Sequence, residues 1–168
     1  GSSNNKIMIL HGLLGSLDNW VTVAKNLASH GFEIILIDQR NHGKSFHADQ
    51  FDYETMSEDL KNFLDEKKIQ KVSLIGHSMG GKTIMNFILN YPSYANKVIV
   101  VDILPKAYNN DYEKIFNAFS KMDLNNLKSR KQIDEYFSEF FSDYTFVSFL
   151  SKNINRDSNG NFKIKFNL

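Results

Sequence analysis

The sequence predicts an α/β fold built on a mostly parallel, doubly wound sheet with a helical lid. Four short apolar runs recur before residue 102: Ile7-Met8-Ile9-Leu10, Ile34-Ile35-Leu36-Ile37, Val72-Ser73-Leu74-Ile75 and Val98-Ile99-Val100-Val101. They are continuous rather than alternating, which is the pattern of strands buried on both faces of a parallel sheet. Helix-period stripes lie between them, and strands alternating with helices imply right-handed βαβ units.

The first helical stripe is Trp20, Val23, Ala24 and Leu27, with Asp18 as the expected N-cap. The second is Tyr53, Met56, Leu60, Phe63 and Leu64, and the third is Ile84, Met85, Ile88 and Leu89, closed by Pro92. After Pro105 the pattern changes. Residues 108–150 read as helices only, with stripes at Ile115, Phe116, Phe119 and at Ile133, Tyr136, Phe137, Phe140. Half of the chain's 22 aromatic residues fall in this stretch. It reads both as a subdomain packing its own aromatics and as a lid lining an apolar acyl pocket. Asn159-Gly160-Asn161 reads as a turn, and Phe162-Lys163-Ile164-Lys165-Phe166 alternates like a short strand. The expected division is therefore a core over residues 1–107, a helical lid over 108–158 and a return segment over 159–168.

Composition narrows the function classes. The formal net charge is +1 with both signs interspersed, which argues against a nucleic-acid surface. There are no cysteines, so disulfides, thiolate chemistry and cysteine-based zinc sites are excluded. No apolar run approaches the roughly 20 residues of a membrane span, and no signal-peptide pattern is visible, so an intracellular, cytoplasmic or organellar setting is expected.

The chemistry is concentrated in two loops. The third run leads straight into Gly76-His77-Ser78-Met79-Gly80-Gly81 and then into a helical stripe. This is Gly-x-Ser-x-Gly in the strand–turn–helix setting of a nucleophile elbow. A turn that sharp holds the serine in a strained backbone conformation, so Cβ atoms beside it would clash; Gly76, Gly80 and Gly81 avoid the clash, with His77 packing behind the elbow. The helix beginning there aims its amides and positive dipole end at a developing oxyanion. The second loop, His11-Gly12-Leu13-Leu14-Gly15-Ser16, follows the first run. An oxyanion hole needs one amide from the residue after the nucleophile, Met79, and one from an earlier loop, for which Leu13 is the natural donor. The His11-Gly12 pair lets the backbone turn toward the serine. His11 can be read as a general base or as a structural residue, and its place at a strand end favours the second. His42 and His47, in the segment Asp38–Ser45 and just after it, read as loop or rim residues. His30, before Gly31, reads as a helix cap.

These motifs, taken in order with Asn19-Trp20 and Val101-Asp102-Ile103-Leu104-Pro105, resemble one branch of the α/β-hydrolase superfamily: the small bacterial and mitochondrial esterases and thioesterases whose elbow reads GHSMGGK. The resemblance covers nearly the whole chain. It implies a serine hydrolase that cleaves a small-molecule acyl ester or thioester through an acyl-enzyme, with no metal or organic cofactor; it leaves the oligomeric state open. In this fold the triad runs serine, acid, histidine, with the histidine after the last strand, yet no histidine follows His77. An incomplete hydrolase is therefore expected, with Ser78 a weak nucleophile in this chain alone. Asp102 stands at one of two places where such enzymes put the acid; the other reading makes it a residue that orders the hinge after the fourth strand. Two rival functions stay open: a carbon–carbon bond hydrolase or lyase on the same fold, and a non-catalytic pseudoenzyme or binding module.

Overall fold

The computed structural model describes residues 5–108 and 112–167. The chain divides into two compact units, one formed by residues 1–105 with 166–168 and the other by 106–165.

The first unit is a four-stranded sheet of order β2-β1-β3-β4, with β1 Lys6–Leu10, β2 Glu33–Ile37, β3 Val72–His77 and β4 Ala95–Val101. Every pairing is parallel: Met8 faces Ile35 on one side and Leu74 on the other, and Gly76 pairs with Val100. The helices are α1 Val21–Ser29, α2 Tyr53–Glu66 and α3 Met79–Asn90. Met8 and Leu10 of β1 and Val72 and Leu74 of β3 point to one face, where they meet Leu60 and Leu64 of α2 and Ile84 and Phe87 of α3 in a fully buried cluster. Strand alternation sends Ile7 and Ile9 to the opposite face, and they are buried there too. This two-sided burial accounts for the continuous apolar run of β1, whereas β4 is not buried on both faces: its Ile99 is 55% exposed. The order makes the chain leave β1 toward β2 on one side and return to β3 on the other. A topological switch point results at the carboxyl ends of β1 and β3, where open α/β sheets bind their ligands.

Some local expectations need correction. Asp18 is not a helix N-cap: it lies inside a 3-10 turn, Leu17–Trp20, that precedes α1. Asp38 Oδ1 accepts the Leu17 amide, and Asn19 Oδ1 accepts the Ser16 amide, so this entry is organised by other side chains. In α3 the buried face runs through Gly80, Thr83, Ile84 and Phe87, whereas Leu89 is 81% exposed. That face is the one that meets β1 and β3. In α2, Asp52 is the N-cap and accepts the Thr55 amide at 2.7 Å.

The second unit holds α4 Glu113–Ser120, α5 Arg130–Ser138, α6 Tyr144–Ser151 and an antiparallel hairpin of β5 Ile154–Arg156 with β6 Phe162–Ile164. Its core is Phe119 packed edge-on against Phe137 at 4.9 Å, together with Ile133, Val147, Leu150 and Ile154. Ser129 caps α5 and Asp143 caps α6. The hairpin keeps residues 159–165 with the helices, where the sequence suggests a separate segment from 159. The partner strand β5 has no clear signature in the sequence. No helix among the described residues is long and apolar enough to cross a membrane.

Candidate active site

Ser78 follows β3 and caps α3 with φ +50° and ψ −114°, a conformation that a residue bearing a Cβ adopts only at a cost. The surroundings impose it. The Ser78 amide donates to the Val101 carbonyl at 3.0 Å, and the Lys82 amide donates to the Ser78 carbonyl at 3.1 Å. The serine is thus tied to β4 on one side and to its own helix on the other. The glycines of the elbow allow the close packing this needs. A Cβ on Gly80 would lie 2.6 Å from the Leu10 carbonyl oxygen and 2.7 Å from that of His11. One on Gly76 would lie 2.5 Å from the Gly80 oxygen, and one on Gly81 2.6 Å from Ile103.

The loop after β1 lies directly against the serine. A Cβ on Gly12 would stand 3.3 Å from the Ser78 Cβ and 2.9 Å from His77 Nδ1. The orientation of the Gly12–Leu13 peptide is fixed from behind. The Gly12 carbonyl accepts from the Gly15 amide at 3.0 Å and from His11 Nδ1 at 2.8 Å. No peptide bond among the described residues is cis, and in a trans peptide N–H points opposite to C=O. Anchoring the Gly12 carbonyl therefore aims the Leu13 amide the other way, and that amide meets no acceptor among the described residues. Met79 opens α3, where the first amides of a helix have no intrahelical acceptor.

The proton positions of two histidines follow from their partners. His11 Nε2 accepts the Gln39 amide at 3.0 Å, so Nδ1 carries the hydrogen donated to Gly12. His42 Nε2 accepts the Leu14 amide at 3.1 Å, so its Nδ1–H donates to the Arg40 carbonyl at 3.0 Å. A backbone amide can only donate and a carbonyl only accept, so both rings are neutral with a single tautomer. Burial, the largest cause, pushes His11 down to about 4, and burial likewise holds His42 below the ordinary imidazole range. Asp38 Oδ1 lies 4.0 Å from His11 Nε2, but that nitrogen carries no proton and the contact is not an ion pair. With Nε2 accepting the Gln39 amide, His11 has no free lone pair with which to take a proton. His42 is the loop residue of the two expectations and not a rim one: it is fully buried, with its two nitrogens bonded to Leu14 and Arg40.

Gln39 and Thr83 belong to the same network and carry no motif of their own. Gln39 Nε2 donates to the His11 carbonyl at 2.7 Å, and Thr83 Oγ1 donates to Gln39 Oε1 at 2.8 Å. The available signal was a lone hydroxyl on the apolar face of α3. Asp38 accepts the Leu17 amide on one oxygen and the Lys44 amide on the other. Arg40 grips Asp59 with two hydrogen bonds of 2.6 and 2.8 Å, which raises its pKa above the ordinary guanidinium value. Asp102 has φ +55° and a side chain 86% exposed, with Oδ2 3.8 Å from His77 Nε2.

A sequence model of the alpha/beta hydrolase fold matches residues 5–152, and the chain belongs to that family. It is 33% identical over 151 residues to the esterase YbfF of Escherichia coli, covering 89% of this chain and 59% of that protein. It is 32% identical over 169 residues to the sn-1-specific diacylglycerol lipase ABHD11 of Danio rerio, covering 96% and 53% respectively. Among solved structures, a marine microorganism esterase superposes with a TM-score of 0.93 at 42% identity, over 99% of this chain and 66% of that one. An alpha/beta hydrolase of Novosphingobium aromaticivorans shares the fold, with a TM-score of 0.75 at 18% identity over 99% of this chain and 61% of that one. The chain spans between about half and two thirds of the length of these relatives.

Proposed function

We propose that this chain carries the nucleophile and the oxyanion hole of a serine hydrolase acting on carboxylic esters or thioesters. The observation that carries the reading is Ser78 at φ +50°, at the N-terminus of α3, with the Gly12–Leu13 peptide packed against it. Ser78 Oγ attacks the acyl carbonyl while its proton passes to a base. The Leu13 and Met79 amides receive the charge that develops on the carbonyl oxygen. Collapse of the tetrahedral adduct expels the alcohol or thiol, which takes the proton back from the base. Water then repeats the attack on the acyl-enzyme and frees the acid. Asp102 is the candidate acid, supported by its place just after β4, the strand whose Val101 carbonyl accepts the Ser78 amide. The helical unit is proposed as the lid on the strength of its aromatic content.

The names of the relatives guide the choice of substrates. One is named an esterase and another a diacylglycerol lipase, so short p-nitrophenyl esters, diacylglycerols and acyl thioesters come first. The intact protein, as its gene encodes it, is treated with a fluorophosphonate probe and the adduct is mapped by peptide mass. A label on Ser78, hydrolysis of at least one acyl substrate and loss of both in Ser78→Ala are the expected results. No label and no hydrolysis across the panel would sink the proposal. A β-diketone in the same panel tests carbon–carbon bond hydrolysis.

A further inference from the structure

We infer that His42 is a positioning residue for the oxyanion loop, holding the Leu13 amide in place from the loop after β2. The inference rests on the reading of Ser78 and Leu13 given above. Leu13 sits between two anchors. On one side, the Gly12 carbonyl is held by the Gly15 amide and His11. On the other, Leu14 has φ +59°, a left-handed conformation that an isolated leucine avoids. The Leu14 amide donates to His42 Nε2, and this is the hydrogen bond that ties the left-handed residue to the rest of the fold. Other contacts hold the ring in this orientation. Its Nδ1–H is engaged by the Arg40 carbonyl, it packs at a tilt against the rings of His11 at 5.1 Å and Phe51 at 5.8 Å, and Arg40 is paired with Asp59. A chain of fixed contacts thus runs from α2 through Arg40 and His42 to the amide beside Leu13.

Only the neutral ring can do this, because protonation turns Nε2 from acceptor to donor. Around it, the Arg40 carbonyl and Asp38 favour the proton and His47 opposes it, while His11 faces it as a neutral ring. Burial adds to the opposition and is the largest cause.

Two substitutions separate this role from packing. Asn at position 42 overlays the Nδ1 side of the ring and keeps a donor for Arg40, but it is too short to reach Leu14. Gln extends to the Nε2 position and offers Oε1 to the Leu14 amide. With the intact protein and a p-nitrophenyl ester, His42→Asn is expected to lower kcat about 10- to 100-fold with KM within about 3-fold, since a displaced oxyanion donor weakens the transition state and not ground-state binding. His42→Gln is expected to keep kcat within about 5-fold of the parent. Thermal melts establish that both variants are folded. A folded His42→Asn protein with unchanged kcat overturns the inference, as does a Gln variant as impaired as Asn. If His42→Asn fails to fold, the Gln variant decides alone by keeping or losing kcat. An inactive parent with Ser78 unlabelled would instead refute the reading of Ser78, so the two failures are distinguishable.

Discussion

Acidification should loosen the sheet unit through His11, and the size of the effect can be worked from its surroundings. An exposed histidine titrates near 6.5, whereas burial pushes His11 down to about 4. Between those values the unfolded chain takes up a proton that the folded protein refuses. Stability contributed by the neutral ring is therefore full above pH 6.5, is lost as pH falls through the interval, and levels off below about pH 4. Each pH unit crossed costs about 1.4 kcal/mol, so the whole interval costs about 3 kcal/mol. That is a large share of the roughly 5–15 kcal/mol that stabilises a domain. The structural reason is the Gln39 amide, whose acceptor is His11 Nε2; a proton there would leave that amide without a partner and place two N–H groups face to face. Urea unfolding at pH 7 and pH 4.5 measures the loss, with His11→Gln as the reference, because Gln presents an acceptor at the same place and does not titrate. The variant should lose about 2–3 kcal/mol less than the parent on acidification. Equal losses in the two proteins would refute the argument. His42 is shifted in the same direction and works on the same side in both proteins.

Three further outcomes follow from the same contacts. Thr83→Val leaves Gln39 Oε1 without its buried donor and should cost about 1–3 kcal/mol in urea unfolding. Gly80→Ala drives a methyl to within 2.6–2.7 Å of the Leu10 and His11 carbonyls; it should destabilise by about 1–3 kcal/mol and slow fluorophosphonate labelling of Ser78 because the elbow must shift. Asp52→Ala removes the N-cap of α2 and should cost about 1 kcal/mol by the same measurement, with labelling unchanged.

The parts of the molecule that could be read from the sequence are those governed by one local rule. Strands β1 to β4 were legible because each carries a run of apolar residues, and the tight strand-to-helix turn was legible because its glycines sit at fixed offsets from Ser78. The buried face of α3 was less so: Leu89 fits a helical stripe as well as Phe87 does, and only the approach of Gly80 to the Leu10 and His11 carbonyls decides between them. The burial of His42 was hidden for a related reason. In sequence it is a polar residue in a polar loop, and nothing nearby shows that the Leu14 amide, 28 positions away, will claim its ring. Gln39 and Thr83 are 44 positions apart and come together only when α3 closes on β1. Contacts of this kind satisfy backbone groups left over by the fold, so they become visible only once the fold exists.

If Ser78 is the nucleophile proposed above, its proton needs a base, and the five histidines of the chain can be tested for that role one by one. His11 and His42 have spent their lone pairs on backbone amides. His30 sits at the end of α1 with Nδ1 on the Asn26 carbonyl, and His47 is exposed in the loop after β2. His77 is the one that deserves a direct experiment. It flanks the same glycine as Ser78, its ring is 39% exposed, and Asp102 stands 3.8 Å from Nε2. Two facts count against it as the base. Nδ1 faces Gly12, and the acid that would orient the ring is itself largely in solvent, where such a pair is worth at most about 1 kcal/mol. His77→Gln should therefore keep the rate of fluorophosphonate labelling at Ser78 within about 10-fold of the parent, whereas losing a true general base costs about 100-fold or more. A loss of that larger size, in a variant whose melting curve matches the parent, would make His77 the base and Asp102 its orienting acid, and would place the whole catalytic set within the sheet unit.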